Sequence, residues 1–155
     1  SDTLSGIENL TGSDFGDRLT GNGASNLLDG GRGDDNIIGG LGQDVLKGGL
    51  GKDLFDFNAI AESTTAPTGR DTILDFNEAA TDKINLSTID ADSVLAGNNA
   101  FTFIGAAAFT GLGQVRAFTS GANTIVDINT TGSNATDMRI VLTGDHLLDA
   151  LDFVL

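Results

Sequence analysis

The chain has 155 residues, no cysteine, tryptophan or tyrosine, and a formal charge of −14 from 22 acidic against 8 basic residues. That length is one domain, or two small ones sharing a core, and the missing cysteines exclude disulfides, zinc–thiolate sites and thiol catalysis. The charge argues against nucleic acid and anionic membrane surfaces as partners, and no run is apolar and long enough for membrane insertion.

Ser1 is preceded by neither an initiator Met nor an apolar leader, the expectation for a piece of a longer protein. Glycine and phenylalanine divide the chain unequally. Fourteen of the 22 glycines fall in residues 1–56, and seven of the nine phenylalanines fall after residue 56. A glycine-built half therefore precedes a core-built half.

Residues 3–29 read TLSGIENLT, GSDFGDRLT and GNGASNLLD. Leu10, Leu19 and Leu28 recur every nine residues, each two residues after Glu8, Asp17 or Asn26. Residues 30–56 repeat the phase strictly as GGRGDDNII, GGLGQDVLK and GGLGKDLFD. Here Asp35, Asp44 and Asp53 hold the sixth position, and Ile37, Leu46 and Phe55 the eighth. A period of nine fits neither a continuous helix nor a long strand. Each unit divides into a glycine-rich turn and a minimal x-apolar-x strand. One apolar side chain makes no core alone, so successive units must stack into a ladder, the logic of a solenoid. If turns alternate sides, a coil takes two units and loops eighteen residues apart lie over one another. Asp35 then faces Asp53 with no base nearby. A hard cation with oxygen ligands relieves that repulsion, and Ca²⁺ suits flexible six- to eight-oxygen sites. Asp29, Asp34 and Asp56 lie outside the ligand phase and read as surface charge.

Residues 58–70 form a loop with the only proline, Pro67. Asp71–Phe76 and Lys83–Ser87 alternate as short strands. The spacing predicts one or two helical turns over Asp90–Gly97, with Asp90 as N-cap. Strands are predicted at Phe101–Ile104, Gln114–Phe118, Thr124–Ile128 and Met138–Leu142. Gly111, Gly113, Gly121 and Gly132 in their connections give the pattern of an antiparallel sandwich. Leu147, Leu148 and Leu151 predict a short helix before the terminal Asp152-Phe-Val-Leu155.

The Gly-Gly-x-Gly-x-Asp-x-apolar-x unit is the RTX calcium-binding nonapeptide. The run DLFDF, DTILDF, DKINLS, NAFTFIG, FTGLGQVR and DFVL resembles the C-terminal domain of serralysin-type secreted metallopeptidases. The resemblance implies an all-β chain, a calcium-binding parallel β-roll over 1–57 continuing into an antiparallel β-sandwich over 58–155. It implies a non-catalytic module at the C-terminus of a larger bacterial protein, folding outside the cell on Ca²⁺. An uncleaved signal would direct export through a type I ABC exporter, and Asp152–Leu155 resembles its acidic-then-apolar end. The upstream part would carry any activity, as a peptidase, lipase or polysaccharide epimerase. Asp127–Gly132 resembles a family segment with a second Asp where Thr131 stands, so a plain hairpin is expected there.

The resemblance further implies that an ion sits between loops one coil apart. The upper loop gives its second and fourth carbonyls and its Asp, the lower its first and third carbonyls and its Asp. One site is Gly31, Gly33 and Asp35 with Gly48, Leu50 and Asp53. A second is Asn22, Ala24 and Asn26 with Gly39, Leu41 and Asp44, weakened by the Asn. A third is Ser13, Phe15 and Asp17 with Gly30, Arg32 and Asp35. Loops 39–44 and 48–53 have no repeat beyond them. Gly40, Gly42, Gly49 and Gly51 therefore need partners from the second half, and Asp71 and Asp75 are the candidates.

Catalysis has little support. His146 is the only histidine, no HExxH occurs, and no G-x-S-x-G elbow occurs. The competing reading is a calcium-dependent polysaccharide-binding module, a lectin or adhesin segment. Exposed aromatics or a basic groove would mark it, and Arg116 and Arg139 are its weak support.

Overall fold

The computed structural model describes residues 8–155. Residues 3–7, which open the first nine-residue unit, lie outside the described residues. Each unit supplies one short strand where the x-apolar-x piece falls. These are β1 (Asn9–Thr11), β2 (Arg18–Thr20), β3 (Leu27–Arg32), β4 (Asn36–Ile38), β5 (Val45–Leu50) and β6 (Leu54–Asp56). Odd strands pair in parallel in one sheet and even strands in the other. A strand turns alternate side chains to opposite faces, so one apolar residue per unit suffices to set the inward face. Leu10, Leu28 and Leu46 are register partners on one side, Leu19, Ile37 and Phe55 on the other. The two ladders meet in one core.

The ladders do not stop where the repeat stops. β7 (Thr72–Ile73) adds to β5 with Ile73 beside Leu46, and β8 (Lys83–Asn85) adds to β6 with Ile84 beside Phe55. β13 (Phe153–Val154), at the end of the chain, adds Phe153 beside Ile84. The larger sheet continues from β7 through β12 (Met138–Thr143), β11 (Asn123–Asn129) and β10 (Gln114–Ser120) to β9 (Thr102–Phe103). β10, β11 and β12 form the expected antiparallel meander, whereas β7–β12 and β9–β10 are parallel. Gly121, at φ +66°, makes the tight β10–β11 turn that a side chain would strain. Eight strands thus face five, and Phe103 stacks on Phe153 at 5.1 Å where the two sheets end. The buried cluster draws on both sides of residue 57, from Phe55 to Ile73, Ile84, Val126 and Ile140. Burying each such side chain contributes about 1.5–3 kcal/mol.

Three local expectations are corrected. Asp90–Gly97 is a run of bends and turns, not a helix. Asp90 Oδ1 accepts from the Asp92 and Asn99 amides, and Asp92 Oδ1 from those of Val94 and Leu95. Short aspartates that bond their neighbours' amides offer the backbone an alternative to helix. Residues 147–151 hold no α-helix; a single 3-10 turn, Ala150–Asp152, is capped by Asp149, and Leu147 and Leu151 are exposed. Asp56 is buried rather than superficial, because β8 covers it and the Asn85 amide donates to it at 2.8 Å. No helix among the described residues is long and apolar enough to cross a membrane.

Candidate metal centre

The acid of each unit stands two residues before its ladder residue, so the strand register carries the acids into two columns. On one side the Asp17 amide donates to Asp35 Oδ1 at 2.7 Å, and the Asp35 amide to Asp53 Oδ1 at 2.9 Å. On the other the Asn26 amide donates to Asp44 Oδ1 at 2.8 Å, and the Asp44 amide to Asp71 Oδ1 at 2.8 Å. One oxygen of every rung therefore clamps the coil before it. The second oxygen of Asp35, Asp44, Asp53 and Asp71 is buried and meets no donor. A buried carboxylate oxygen without a partner is costly. Four of them, repeated at coil spacing, define the site.

Backbone carbonyls converge on the same gaps. A Cβ on Gly49 would stand 2.1 Å from the Gly31 oxygen, and one on Gly51 1.9 Å from the Gly33 oxygen. The second and fourth carbonyls of loop 30–35 thus aim at the next coil. From the other direction the Leu50 carbonyl accepts from the Gly33 amide at 2.8 Å, and the Gly48 oxygen approaches Gly30. Gly48 itself lies against Asp53 Oδ2, at 2.3 Å from where its Cβ would be. Gly31, Gly33, Asp35, Gly48, Leu50 and Asp53 are thereby brought together. On the opposite side the Asn22 and Ala24 carbonyls face Gly40 and Gly42, and the Gly39 oxygen faces Gly21. Asp44 lies in that layer, while the Leu41 side chain is exposed. Gly31, Gly33, Gly40, Gly42, Gly49 and Gly51 all have positive φ, the conformation that turns these carbonyls between coils.

The outer gaps are built differently. Asp17 Oδ2 accepts from the amide and the hydroxyl of Ser13, at 2.6 and 2.8 Å. Asn26 Oδ1 likewise accepts from the Asn22 amide at 2.8 Å. Both acceptors turn to their own loops. The Ser13 carbonyl accepts from the Arg32 amide at 3.2 Å, and the Phe15 carbonyl abuts Gly33. The Gly30 oxygen approaches Gly12, while the Phe15 and Arg32 side chains are exposed.

The two second-half candidates separate. Asp71 is the next rung below Asp44 and wholly buried. Asp75 is no rung; its two oxygens accept from the Gly48 and Gly49 amides, both at 2.9 Å. Two participants escaped the sequence reading. Asp82 Oδ1 accepts from the Asp53 amide at 3.0 Å, and its Oδ2 from Asn77, so it ends the first column. Ser63 ends the second, its hydroxyl accepting from the Asp71 amide at 2.9 Å. Asp82 stands two residues before Ile84, as Asp53 does before Phe55, and that offset was the available signal. Ser63 carries none.

Electrostatics mark the same acids. Burial pushes the Asp44 and Asp53 carboxyls up to about 6 and that of Asp71 up to about 8. Asp35 and Asp82 are raised too, again chiefly by burial. Among the described residues no three acidic or histidine side chains gather into a ready cluster. Each gap offers two carboxylates, except that Asn26 replaces one of them opposite Asp44, and the backbone carbonyls described above supply further oxygens. Hard oxygens in a flexible, glycine-turned cage fit Ca²⁺, not a soft metal.

Stacked parallel coils with an acid, or once Asn26, at the same place in each turn define an RTX-type β-roll. Residues 7–155 match the family described as Peptidase M10 serralysin C terminal, and the chain belongs to it; calcium binding is a known property of that family. No curated protein sequence matches. Among solved structures it is similar to the AlgE6R3 subunit of a mannuronan C5-epimerase from Azotobacter vinelandii. That similarity has 28% identity and a TM-score of 0.56, covering 99% of this chain and 86% of that one. The AlgE6R2 subunit gives 26% identity and a TM-score of 0.60, covering 97% and 94%.

Proposed function

We propose that this chain is a non-catalytic calcium module at the C-terminus of a larger secreted protein, folding on extracellular Ca²⁺ and carrying a type I secretion signal. One observation carries it: the four buried, donorless oxygens of Asp35, Asp44, Asp53 and Asp71. The best-formed ligand set is Gly31, Gly33 and Asp35 with Gly48, Leu50 and Asp53. On the other side Asp44 faces Asp71 across the next gap, where the carbonyls of Gly40 and Gly42 would complete the ligand set. The gaps containing Asn26 and Asp17 bind more weakly, since both groups are engaged by their own loops. Asp75 acts as an amide cap to loop 48–53 and not as a rung. Residues 1–57 act as the calcium-dependent roll and 58–155 as the sandwich on which it is built. Circular dichroism in chelator, then Ca²⁺, then Mg²⁺ tests this. Strand signal should need Ca²⁺, and Mg²⁺ should substitute poorly because it favours small octahedral sites and keeps its water. A chelator-insensitive spectrum contradicts the reading.

The export signal is supported by Asp152–Leu155. Phe153 is buried against Ile84 in the fold, so the segment would be readable only while the chain is unfolded, as low cytosolic calcium would keep it. Export of an inert passenger fused to residues 1–155 should stop when Asp152–Leu155 is deleted.

A second reading, polysaccharide binding, is favoured by the two structural relatives, subunits of an enzyme named for mannuronan. The basic groove expected from Arg116 and Arg139 does not support it as such, because both arginines are bound to Asp127.

A further inference from the structure

We propose that Arg70 and Arg139 form an anion site on the outer face of the eight-stranded sheet, and that its ligand is the carboxylates of an acidic polysaccharide. The inference rests on the polysaccharide reading and gives it a place and a chemistry. Its starting point is a cation without an ion pair of its own. Asp127 is wholly buried and its acceptors are filled. Arg139 donates from Nε at 2.5 Å and from its fork at 2.8 Å, Arg116 at 2.9 Å and Thr136 at 3.0 Å. Arg70 has no ion-pair partner among the described residues. Its guanidinium donates to the Thr65 carbonyl, and its Nε is buried with no acceptor. In a chain with 22 acids and 8 bases, a half-buried arginine left without a carboxylate of its own is not explained by supply.

The topology brings the two arginines near one another, with Ser63 bonded to the Arg139 backbone on that side. Arg70 is extended and stands two residues before Thr72; Arg139 stands two residues before Val141, the register partner of Thr72. Burial, and then the Arg139 charge, hold the Arg70 guanidinium below its ordinary range, against a smaller opposing pull from Asp127. Three guanidiniums thus share one carboxylate. An added oxyanion between Arg70 and Arg139 would take the free donors, and a guanidinium fork matches a carboxylate in both spacing and charge.

The neighbouring row argues for a sugar acid. Leu27, Val45, Thr72, Val141, Ile125 and Phe118 are successive register partners across six strands. At roughly 4.8 Å per strand the row runs about 24 Å. It is largely apolar, with Leu27 exposed, Val45, Thr72, Val141 and Phe118 half-buried, and Ile125 buried. Phe118 also backs Arg116, whose guanidinium lies 4.9 Å over its ring. An apolar strip beside an unpaired cation suits a ring with one apolar face and one carboxylate.

The test titrates the calcium-loaded chain against a labelled mannuronate oligomer, with a neutral glucan oligomer and oligoglutamate as comparators. Uronate binding should fall with added salt and weaken about tenfold in Arg70→Gln. It should be unaltered in Arg18→Gln, which lies on β2 in the other sheet. The number of bound calcium ions should match wild type in both variants, which separates this site from carboxylate ligation to the metal. Wild-type uronate affinity in Arg70→Gln overturns the site and leaves the polysaccharide reading standing. Oligoglutamate bound as tightly as uronate overturns the sugar assignment. Failure of wild type to bind either sugar overturns both.

Discussion

Asp127, at the centre of the antiparallel face, and Asp44, in the turns of the roll, are both wholly buried. Only Asp127 receives cations from its own chain. Burial pushes its carboxyl up, but Arg139 and Arg116 more than offset that and hold it below the ordinary value. Asp44 receives one backbone amide on one oxygen and nothing on the other, and burial raises it to about 6. The same arrangement recurs at Asp35, Asp53 and Asp71. The fold neutralises a buried carboxylate where that acid is purely structural. In the turns it leaves the charge open, which is what a site for an external cation requires.

The largest way to break this comparison is to remove calcium. With free calcium at about 100 times Kd, each occupied site contributes ~2.7 kcal/mol. Several stacked sites together exceed what any single side chain supplies, so chelation should collapse the strand signal and the thermal midpoint together. Asp127→Ala comes next, at about 3–5 kcal/mol, because it strands two half-buried arginines. Its loss should be equal at low and saturating calcium, with the ion count unchanged in native mass spectrometry. Asp35→Ala should do the reverse, removing more than one ion, since Asp35 lies between two gaps. Asp17→Ala should remove one at most. Equal ion losses from Asp17→Ala and Asp35→Ala would refute the one-coil pairing.

The smallest effect is on pH, and its sign differs between the two states. Without calcium, the raised carboxyls of Asp44, Asp53 and Asp71 penalise the fold when ionised. That penalty is absent below about pH 4 and complete above about pH 8. The chelated chain should therefore gain stability as pH falls from 8 to 5. Calcium affinity should move the other way over the same interval, because protons compete for those oxygens. The residual strand signal of the chelated chain and calcium titrations, each at three pH values, would show both.

The roll was legible because period and chemistry coincide: Asp35, Asp44 and Asp53 hold phase with Ile37, Leu46 and Phe55. Its continuation was only half legible. Asp71 supplies its rung 27 residues after Asp44, and Asp82 29 residues after Asp53, each accepting from the backbone amide of the earlier residue. An eighteen-residue rule misses both spacings, though the acid-x-apolar offset survives in each. Ser63 could not have been found, since a buried hydroxyl at the end of a column has no spacing to announce it. The turns at 90–97 misread as helix for a local reason: side-chain-to-amide bonds from Asp90 and Asp92 outcompete a pattern too short to nucleate. Arg70 shows the reverse case, a residue whose interest lies in a partner it lacks, which only the folded neighbourhood reveals.

The most direct measurement is anomalous diffraction from a crystal grown in calcium. Peaks should lie between loops 30–35 and 48–53, and between loop 39–44 and Asp71, about 2.3–2.6 Å from the open oxygens of Asp35, Asp53, Asp44 and Asp71. No peak should lie near Asp127. Density that placed only water, or a lysine or arginine, against those four oxygens would contradict the account.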